Sequence, residues 1–307
     1  MLVIRLSIIS LACIMTFTVL GQAIPKASNG AIVRHAMFPS SKVDARNIDV
    51  WLPASYDGKQ KYPVLYMHDG QMLFDSTTTW NKQEWGVDET MHALTLLGFK
   101  EMIVVGVWNS GSNRHIDYFP QKAFEILPQK TRDSLYKAER NKGNPVFHGT
   151  VQSDKYLKFL VNELKPFIDS AYRTLSDMPN TFIAGASMGG LISMYAYCEY
   201  PNVFGGAACL STHWPGIFQL ENNPIPNAFI SYLEKFLPKP SNRKIYFDYG
   251  NATLDALYPP LQKQVDQVMI RKGYTGKQWL TLAFPGEDHS EKAWNKRLHI
   301  PIQFLLQ

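Results

Sequence analysis

The chain has 307 residues, of which 45% are apolar and 19% are charged, and its formal net charge at pH 7 is +5. This length and composition suffice for a large buried core, and no shift in composition divides the chain into two halves. The positive charge is scattered rather than clustered, so the sequence gives no indication of a nucleic-acid partner.

The N-terminal segment differs from the rest of the chain. Arg5 precedes an apolar run over residues 6–20, and small residues follow it up to Ala23. This pattern predicts a secretory signal peptide over residues 1–23 and therefore a secreted or periplasmic protein without stable membrane insertion. An uncleaved anchor would need a run of about 20 apolar residues. Lipid attachment at Cys13 is less favoured, because it would leave a very short apolar core.

Residues 24–307 are interpreted as a single α/β domain. Segments rich in Val, Ile, Phe and Tyr alternate with helix-like segments, which is typical of a mostly parallel central sheet with helices on both faces. The predicted strands cover residues 47–52, 64–68, 102–108, 181–185, 206–211, 245–249 and 280–284.

Apolar residues at helical spacing predict helices over residues 154–172, 190–199 and 260–272. Ser153 is expected to cap the first of these, and Gly273 to end the last. Two prolines inside helix-like sequence should kink or break their helices, namely Pro166 and Pro301.

The segment between Trp108 and Ser153 is long and has no clear periodicity. Long segments of this kind are usually functional covers or disordered insertions. This one leaves the carboxyl end of a predicted central strand, where open α/β sheets bind ligands, so it is interpreted as a pocket wall that includes Arg114. The alternative is a surface excursion without function.

The pentapeptide Gly185-Ala-Ser-Met-Gly189 follows one of the predicted strands and opens a helix. In a G-x-S-x-G turn, the serine has strained backbone angles and its hydroxyl projects from the top of a parallel sheet. Ser187 is therefore the predicted nucleophile.

A serine nucleophile needs a base, which in this chain order is a histidine downstream of it. His289 lies in a turn-rich loop after the last predicted strand and is the predicted base. His213 directly follows a strand and suits a pocket wall, whereas His299 lies in helix-like sequence and suits packing or the surface.

The acid that orients the base is expected in the loop after strand 245–249, which offers two carboxylates. Asp255 is preferred because it stands far enough out to reach the imidazole. Asp248 lies close to the strand and could bind loop backbone instead. Asp288 is the third choice, because chain neighbours rarely present their side chains to each other.

Two backbone N–H groups are expected to stabilise the oxyanion, those of Met188 and Gln71. Gly70 permits the turn that directs Gln71 inward. His68 precedes this loop and is interpreted as a residue that shapes it.

Several tryptophans fall in loops at the carboxyl edge of the predicted sheet. Indole rings there suit stacking on a sugar or an aromatic acyl group, although burial in the core is the equal alternative for each. The predicted substrate-binding residues are Trp80, Trp85, Trp108, Arg114, His213 and Trp214.

Export would leave two cysteines, Cys198 and Cys209. A disulfide is permitted in an oxidising compartment, but two buried thiols are the favoured interpretation. The spacing of His, Cys and Asp residues suggests no metal site, and the predicted chemistry needs no cofactor.

The segments Tyr66-Met-His-Asp-Gly-Gln71, Gly185-Ala-Ser-Met-Gly-Gly190, Tyr200-Pro-Asn-Val-Phe204 and Gly286-Glu-Asp-His289, with the loop over 250–255, resemble the putative-esterase family of α/β-hydrolases. The resemblance covers about residues 33–306. It implies an α/β-hydrolase fold with Ser187, Asp255 and His289 as the catalytic residues and Met188 and Gln71 around the oxyanion. The spacing of Asp255 after Gly250 departs from several relatives.

The resulting expectation is a secreted serine carboxylesterase that acts on small or polysaccharide-linked esters, with acetyl or feruloyl groups implied by the carbohydrate-esterase relatives. A siderophore esterase and an acyltransferase are alternatives with the same chemistry. A carbohydrate-binding protein without activity is the alternative of a different class.

Overall fold

The structure, a computed structural model, describes residues 23–218 and 221–307. The predicted signal peptide, including Cys13, lies outside the described residues except for Ala23. Within the described part of the chain, no helix has the length and apolarity needed to cross a bilayer.

The described residues form one large sheet and a small hairpin. The strands are Ala31–Phe38 (β1), Arg46–Leu52 (β2), Val64–His68 (β3), Ile103–Val107 (β4), Glu139–Asn141 (β5), Asn144–Pro145 (β6), Thr181–Ala186 (β7), Gly206–Leu210 (β8), Lys244–Tyr249 (β9) and Trp279–Ala283 (β10). The large sheet has the order β1-β2-β4-β3-β7-β8-β9-β10, and β5 pairs with β6. Strands β1 and β2 are antiparallel to their neighbours, whereas all other pairs in the large sheet are parallel.

Helices cover both faces of the large sheet. They are Val87–Leu96 (α1), Arg114–Tyr118 (α2), Gln121–Ile126 (α3), Gln129–Leu135 (α4), Ser153–Phe159 (α5), Lys165–Ala171 (α6), Met188–Glu199 (α7), Ile225–Phe236 (α8), Pro259–Arg271 (α9), Glu291–Arg297 (α10) and His299–Leu306 (α11). Along β3, Val64 and Tyr66 join the core cluster that contains α5 to α9, whereas Leu65 and Met67 join the cluster that contains α1, α10 and α11. This alternation confirms the predicted sheet with two covered faces.

All seven predicted strands are confirmed to within one residue at each end. The prediction missed β1, an edge strand whose residues alternate between exposed and half-buried positions and include Arg34 and His35. Such a strand lacks the apolar run that marks the buried strands.

The helix predicted over 154–172 forms as α5, a π-helical turn over Leu160–Leu164, and α6. In a regular α-helix, the ring of Pro166 would clash with the carbonyl four residues before it. That carbonyl lies in the π-helical turn, where the helix is locally widened. Similarly, α10 ends at Arg297, four residues before Pro301. The prediction that Ser153 caps the helix is wrong, because it is the first residue of α5 and its hydroxyl accepts a hydrogen bond from the Gln121 N–H at 2.9 Å.

Candidate active site

Ser187 occupies the single-residue turn between β7 and α7. Its backbone angles are φ 59° and ψ −121°, a strained conformation for a residue other than glycine. Hydrogen bonds hold this turn on both sides, since the Ser187 N–H donates to the Leu210 carbonyl at 3.0 Å and the Ser187 carbonyl accepts from the His213 N–H at 3.2 Å. The serine is therefore fixed at the carboxyl end of the parallel strands, as the motif predicts.

Gly185 allows the strand and the helix to approach each other at this turn. A Cβ atom added to Gly185 would lie 2.8 Å from the backbone carbon of Gly189, which is closer than packed atoms tolerate. A side chain at this position would therefore push α7 away from β7 and displace Ser187.

A cavity of about 590 Å³ opens beside Ser187. Its lining includes most of the residues that the sequence indicated, namely Gln71, Trp80, Trp85, Arg114, Ser187, Met188, His213 and His289. The chain thus brings the predicted nucleophile, base and oxyanion residues to one cavity.

His289 lies between β10 and α10 and is held by contacts on several sides. Its Nδ1 atom lies 2.6 Å from Asp255 Oδ1, and its backbone N–H donates to Thr253 Oγ1 at 3.0 Å. The rings of Trp294 and Tyr258 meet its imidazole edge to face, with centroids at 5.0 and 5.8 Å. Because Asp255 occupies Nδ1, Nε2 is the ring nitrogen left to exchange a proton.

Asp255 is fully buried in the turn after β9. Besides His289, it accepts hydrogen bonds through Oδ2 from Ser211 Oγ at 2.5 Å and from the Gly250 N–H at 2.7 Å. Burial by itself would raise the pKa of Asp255, but the contacts with His289, Ser211 and Gly250 together hold this pKa below its usual value. Asp255 is consequently ionised at neutral pH.

The other two candidate acids have different partners. Asp248 is buried and binds the Arg297 guanidinium through both carboxylate oxygens, at 3.1 and 3.0 Å. Burial raises the pKa of Asp248, against the opposing effect of Arg297. Asp288 accepts a hydrogen bond from Ser290 Oγ at 2.5 Å. The geometry thus favours Asp255, the preferred acid of the sequence analysis.

Ser211 joins Asp255 to Asp248, and no sequence motif indicated this role. Its hydroxyl donates to Asp255 and accepts from Trp294 Nε1 at 3.0 Å and from Arg297 at 2.9 Å, while its N–H donates to Asp248 Oδ1 at 3.1 Å. Ser211 also has a positive φ of 39°. The side chains that meet at this hydroxyl come from the turn after β9 and from α10, which are far apart in sequence, so no local motif could reveal the arrangement.

The loop after β3 contains Gln71 and is held by charged contacts. Asp69 adopts a left-handed conformation with φ 57° and accepts two hydrogen bonds from Arg114, both at 2.7 Å, and one from Asn109 Nδ2 at 2.8 Å. Burial lowers the pKa of His68 to about 3, and its Nδ1 lies 2.9 Å from the Tyr156 hydroxyl. His68 is therefore a neutral, buried residue at the end of β3, directly before this loop.

The four predicted tryptophans divide into two pairs. Trp80 is 83% exposed at the cavity rim, and Trp85, which also lines the cavity, is buried against Trp294. Among the described residues that line the cavity, neither Trp108 nor Trp214 is found. The prediction that these two tryptophans bind substrate is therefore corrected. Both indole N–H groups are engaged in the protein, donating to Asp49 Oδ2 at 2.7 Å and to Gln262 Oε1 at 2.8 Å respectively.

His213 forms part of the cavity wall, as predicted, with its Nδ1 atom 2.9 Å from the Tyr258 hydroxyl. His299 is exposed at the start of α11. Cys198 and Cys209 are free and buried, which confirms the favoured interpretation. Burial raises the pKa of the Cys198 thiol to about 12 and also raises that of Cys209.

The chain matches known proteins over most of its length. The family model described as "Putative esterase" matches residues 41–299. The uncharacterized protein YbbA of Bacillus subtilis (strain 168) is 24% identical over 272 residues, which are 86% of this chain and 94% of that protein.

Solved structures of esterases share the fold. An IroE-like serine hydrolase from Shewanella oneidensis superposes with a TM-score of 0.65 and 20% identity, covering 90% of this chain and 80% of that one. A ferulic acid esterase from Anaeromyces mucronatus gives a TM-score of 0.57 and 17% identity, with coverages of 92% and 93%. The enterobactin esterase from Shigella flexneri gives a TM-score of 0.57 and 15% identity, with coverages of 92% and 60%.

Proposed function

The chain belongs to the putative-esterase family and has the α/β-hydrolase fold, and we propose that it is a serine carboxylesterase with Ser187 as nucleophile, His289 as base and Asp255 as the residue that orients His289. One observation carries this proposal. The strained Ser187 turn and His289 line the same cavity. The Nδ1 atom of His289 is bound to the buried, ionised carboxylate of Asp255.

The chemistry follows from these positions. Ser187 Oγ attacks the ester carbonyl while its proton passes to His289 Nε2, and the charge of Asp255 stabilises the resulting imidazolium. The carbonyl oxygen becomes an oxyanion, for which the N–H groups of Met188 and Gln71 are the proposed donors. Met188 is the first residue of α7, so the positive end of the helix dipole favours negative charge there.

The tetrahedral intermediate then collapses. The bond to the alcohol oxygen breaks, and His289 gives its proton to that oxygen, which leaves an acyl group on Ser187. Water attacks this acyl group while its proton passes to His289, and the acid departs as the Ser187 oxygen takes the proton back. The chain's own residues supply every proton transfer in both halves of the cycle.

For the substrate we propose acetyl or feruloyl esters of polysaccharides. The exposed Trp80 at the cavity rim supports this class, because an indole face suits stacking on a sugar or an aromatic acyl group. Ferulic acid esterases among the structural neighbours also support it. A siderophore esterase is the second candidate, supported by the neighbouring enterobactin esterase. We also propose that residues 1–23 direct export and that residues 24–307 form one domain.

The direct test is labelling and turnover of the purified protein. The wild-type protein should be labelled by a fluorophosphonate probe and should hydrolyse 4-nitrophenyl acetate. Ser187→Ala should lose the labelling and the hydrolysis while keeping the wild-type circular dichroism spectrum. Ser134→Ala, an exposed serine on α4, is the matched control and should behave as wild type. Labelling that persists in Ser187→Ala would exclude Ser187 as the nucleophile. Hydrolysis of methyl ferulate, acetylated xylan and a catecholate ester then ranks the substrate classes.

A further inference from the structure

One part of the cavity wall takes no part in the proposed acyl transfer. It consists of His115, Arg140, His213 and Phe218, and is called the arginine wall below. The Arg140 guanidinium lies over the face of the Phe218 ring, 4.7 Å from its centroid, and the rings of Phe218 and His213 are 5.6 Å apart. Phe218 thus holds the planar guanidinium by a cation–π contact beside the cavity.

Two buried nitrogens in the arginine wall have no hydrogen-bond partner in the protein. They are the Nε2 atoms of His115, which is 5% exposed, and His213, which is 2% exposed, and this absence of partners refers to residues 23–218 and 221–307. Burial lowers the pKa of His115 to about 3, and the nearby guanidinium groups act in the same direction, so this imidazole is neutral. Unpaired buried polar atoms cost free energy, and both histidines line the cavity, so a ligand whose polar groups reach these nitrogens would relieve that cost.

Arg140 is exposed on β5 at the edge of the cavity. Within the described residues, Arg140 has no ion pair or hydrogen bond with a carboxylate, whereas Arg114 is paired with Asp69. Burial and the like charge of Arg114 lower the pKa of Arg140, although a guanidinium stays protonated at neutral pH. Glu291 also lines the cavity, where it accepts a hydrogen bond from Asn81 Nδ2 at 2.8 Å and its charge acts on Arg114.

We propose that the arginine wall binds a carboxylate carried by the ester substrate. Arg140 pairs with this carboxylate, and the free nitrogens of His115 and His213 bind polar groups next to it. The inference rests on the proposed function and narrows its substrate class to esters of acidic molecules, such as saccharides that contain uronic acids. The stacked guanidinium presents its N–H groups in a plane, which suits two parallel hydrogen bonds to a carboxylate.

The test compares rigid esters that differ only in a carboxylate and its neutral amide. On the alcohol side the pair is 3-acetoxybenzoate and 3-acetoxybenzamide, and on the acyl side it is monomethyl terephthalate and methyl 4-carbamoylbenzoate. For at least one pair, the wild-type protein should hydrolyse the carboxylate with the higher kcat/KM. Arg140→Gln should lower the carboxylate-to-amide ratio of kcat/KM by about tenfold, because a charge-assisted pair at a partly exposed site is lost.

Lys142→Gln is the matched control, since Lys142 is an exposed cation on the same hairpin and is absent from the described lining of the cavity. It should leave the ratio at the wild-type value. A ratio that Arg140→Gln leaves unchanged, or a wild-type preference for the amide in both pairs, would overturn the inference while the esterase proposal stands. If the wild-type protein hydrolyses neither member of either pair and no fluorophosphonate labels it, the proposed function fails, and the inference fails with it.

Discussion

Replacing Asp255 with Asn should lower kcat by about 10⁴-fold, or about 5 kcal/mol of transition-state stabilisation. The structure gives the reason. Oδ2 of Asp255 accepts hydrogen bonds from Ser211 Oγ and the Gly250 N–H, so the amide oxygen of Asn must take this position. The amide nitrogen then faces His289 Nδ1 and donates to it. This forces the imidazole proton onto Nε2, where it prevents His289 from accepting the proton of Ser187.

The same substitution should affect stability much less at low pH than at neutral pH. The pKa of Asp255 is lowered in the folded protein, so its charge stabilises the fold above the pKa of the unfolded chain, and this contribution is lost as the pH falls through the folded pKa. Asp248→Asn should instead lower stability strongly and activity little. It leaves the buried Arg297 without its carboxylate, which should cost about 3–5 kcal/mol of unfolding free energy, while the contact between Asp255 and His289 remains.

The assay is steady-state hydrolysis of 4-nitrophenyl acetate, with kcat divided by the folded fraction that urea unfolding gives for each variant. Asp255→Asn should be nearly inactive and folded, and Asp248→Asn should be active and less stable. If Asp248→Asn loses more kcat per folded molecule than Asp255→Asn, the assignment of the acid is refuted. Retention of more than about a tenth of the wild-type kcat by Asp255→Asn would refute the tautomer argument.

Three further predictions concern other parts of the chain. Trp80→Ala should raise KM for an aryl or saccharide ester about fivefold without changing the melting temperature, because this indole is exposed; an unchanged KM would remove it from the binding surface. Burial raises the pKa of Asp88 to about 6, so the folded state holds a proton more tightly than the unfolded chain and stability falls as the pH rises from about 4 to 6. Asp88→Asn should therefore raise the melting temperature at pH 8 and not at pH 4, and equal shifts at both values would contradict this origin. Cys198 and Cys209 should react with a thiol reagent only after unfolding, and rapid labelling of the native protein would show that their burial is transient.

The sequence predicted best those features that depend on local pattern. The strands buried on both faces carry continuous apolar runs, and the turn at Ser187 is encoded within five residues. The edge strand β1 was missed because its residues are only partly buried. Trp108 and Trp214 were placed in the pocket because they follow strands, but strand position does not reveal which way a side chain points. The arrangement at Ser211 brings together distant segments, so only the folded chain displays it.

The two carboxylates beside Ser211 lie close together in the sequence, which left the choice of acid open, and their different partners in the structure favour Asp255. Asp248 lies in β9 and Asp255 in the turn that follows it, and both are buried. Among the described residues, the one buried cation that binds either carboxylate is Arg297. Arg297 binds Asp248 through two contacts and reaches Asp255 only through the Ser211 hydroxyl. The negative charge of Asp255 is thus left for His289, and it is balanced when that imidazole is protonated. This distribution of charge favours the imidazolium at the stage of the proposed reaction at which His289 has taken the serine proton.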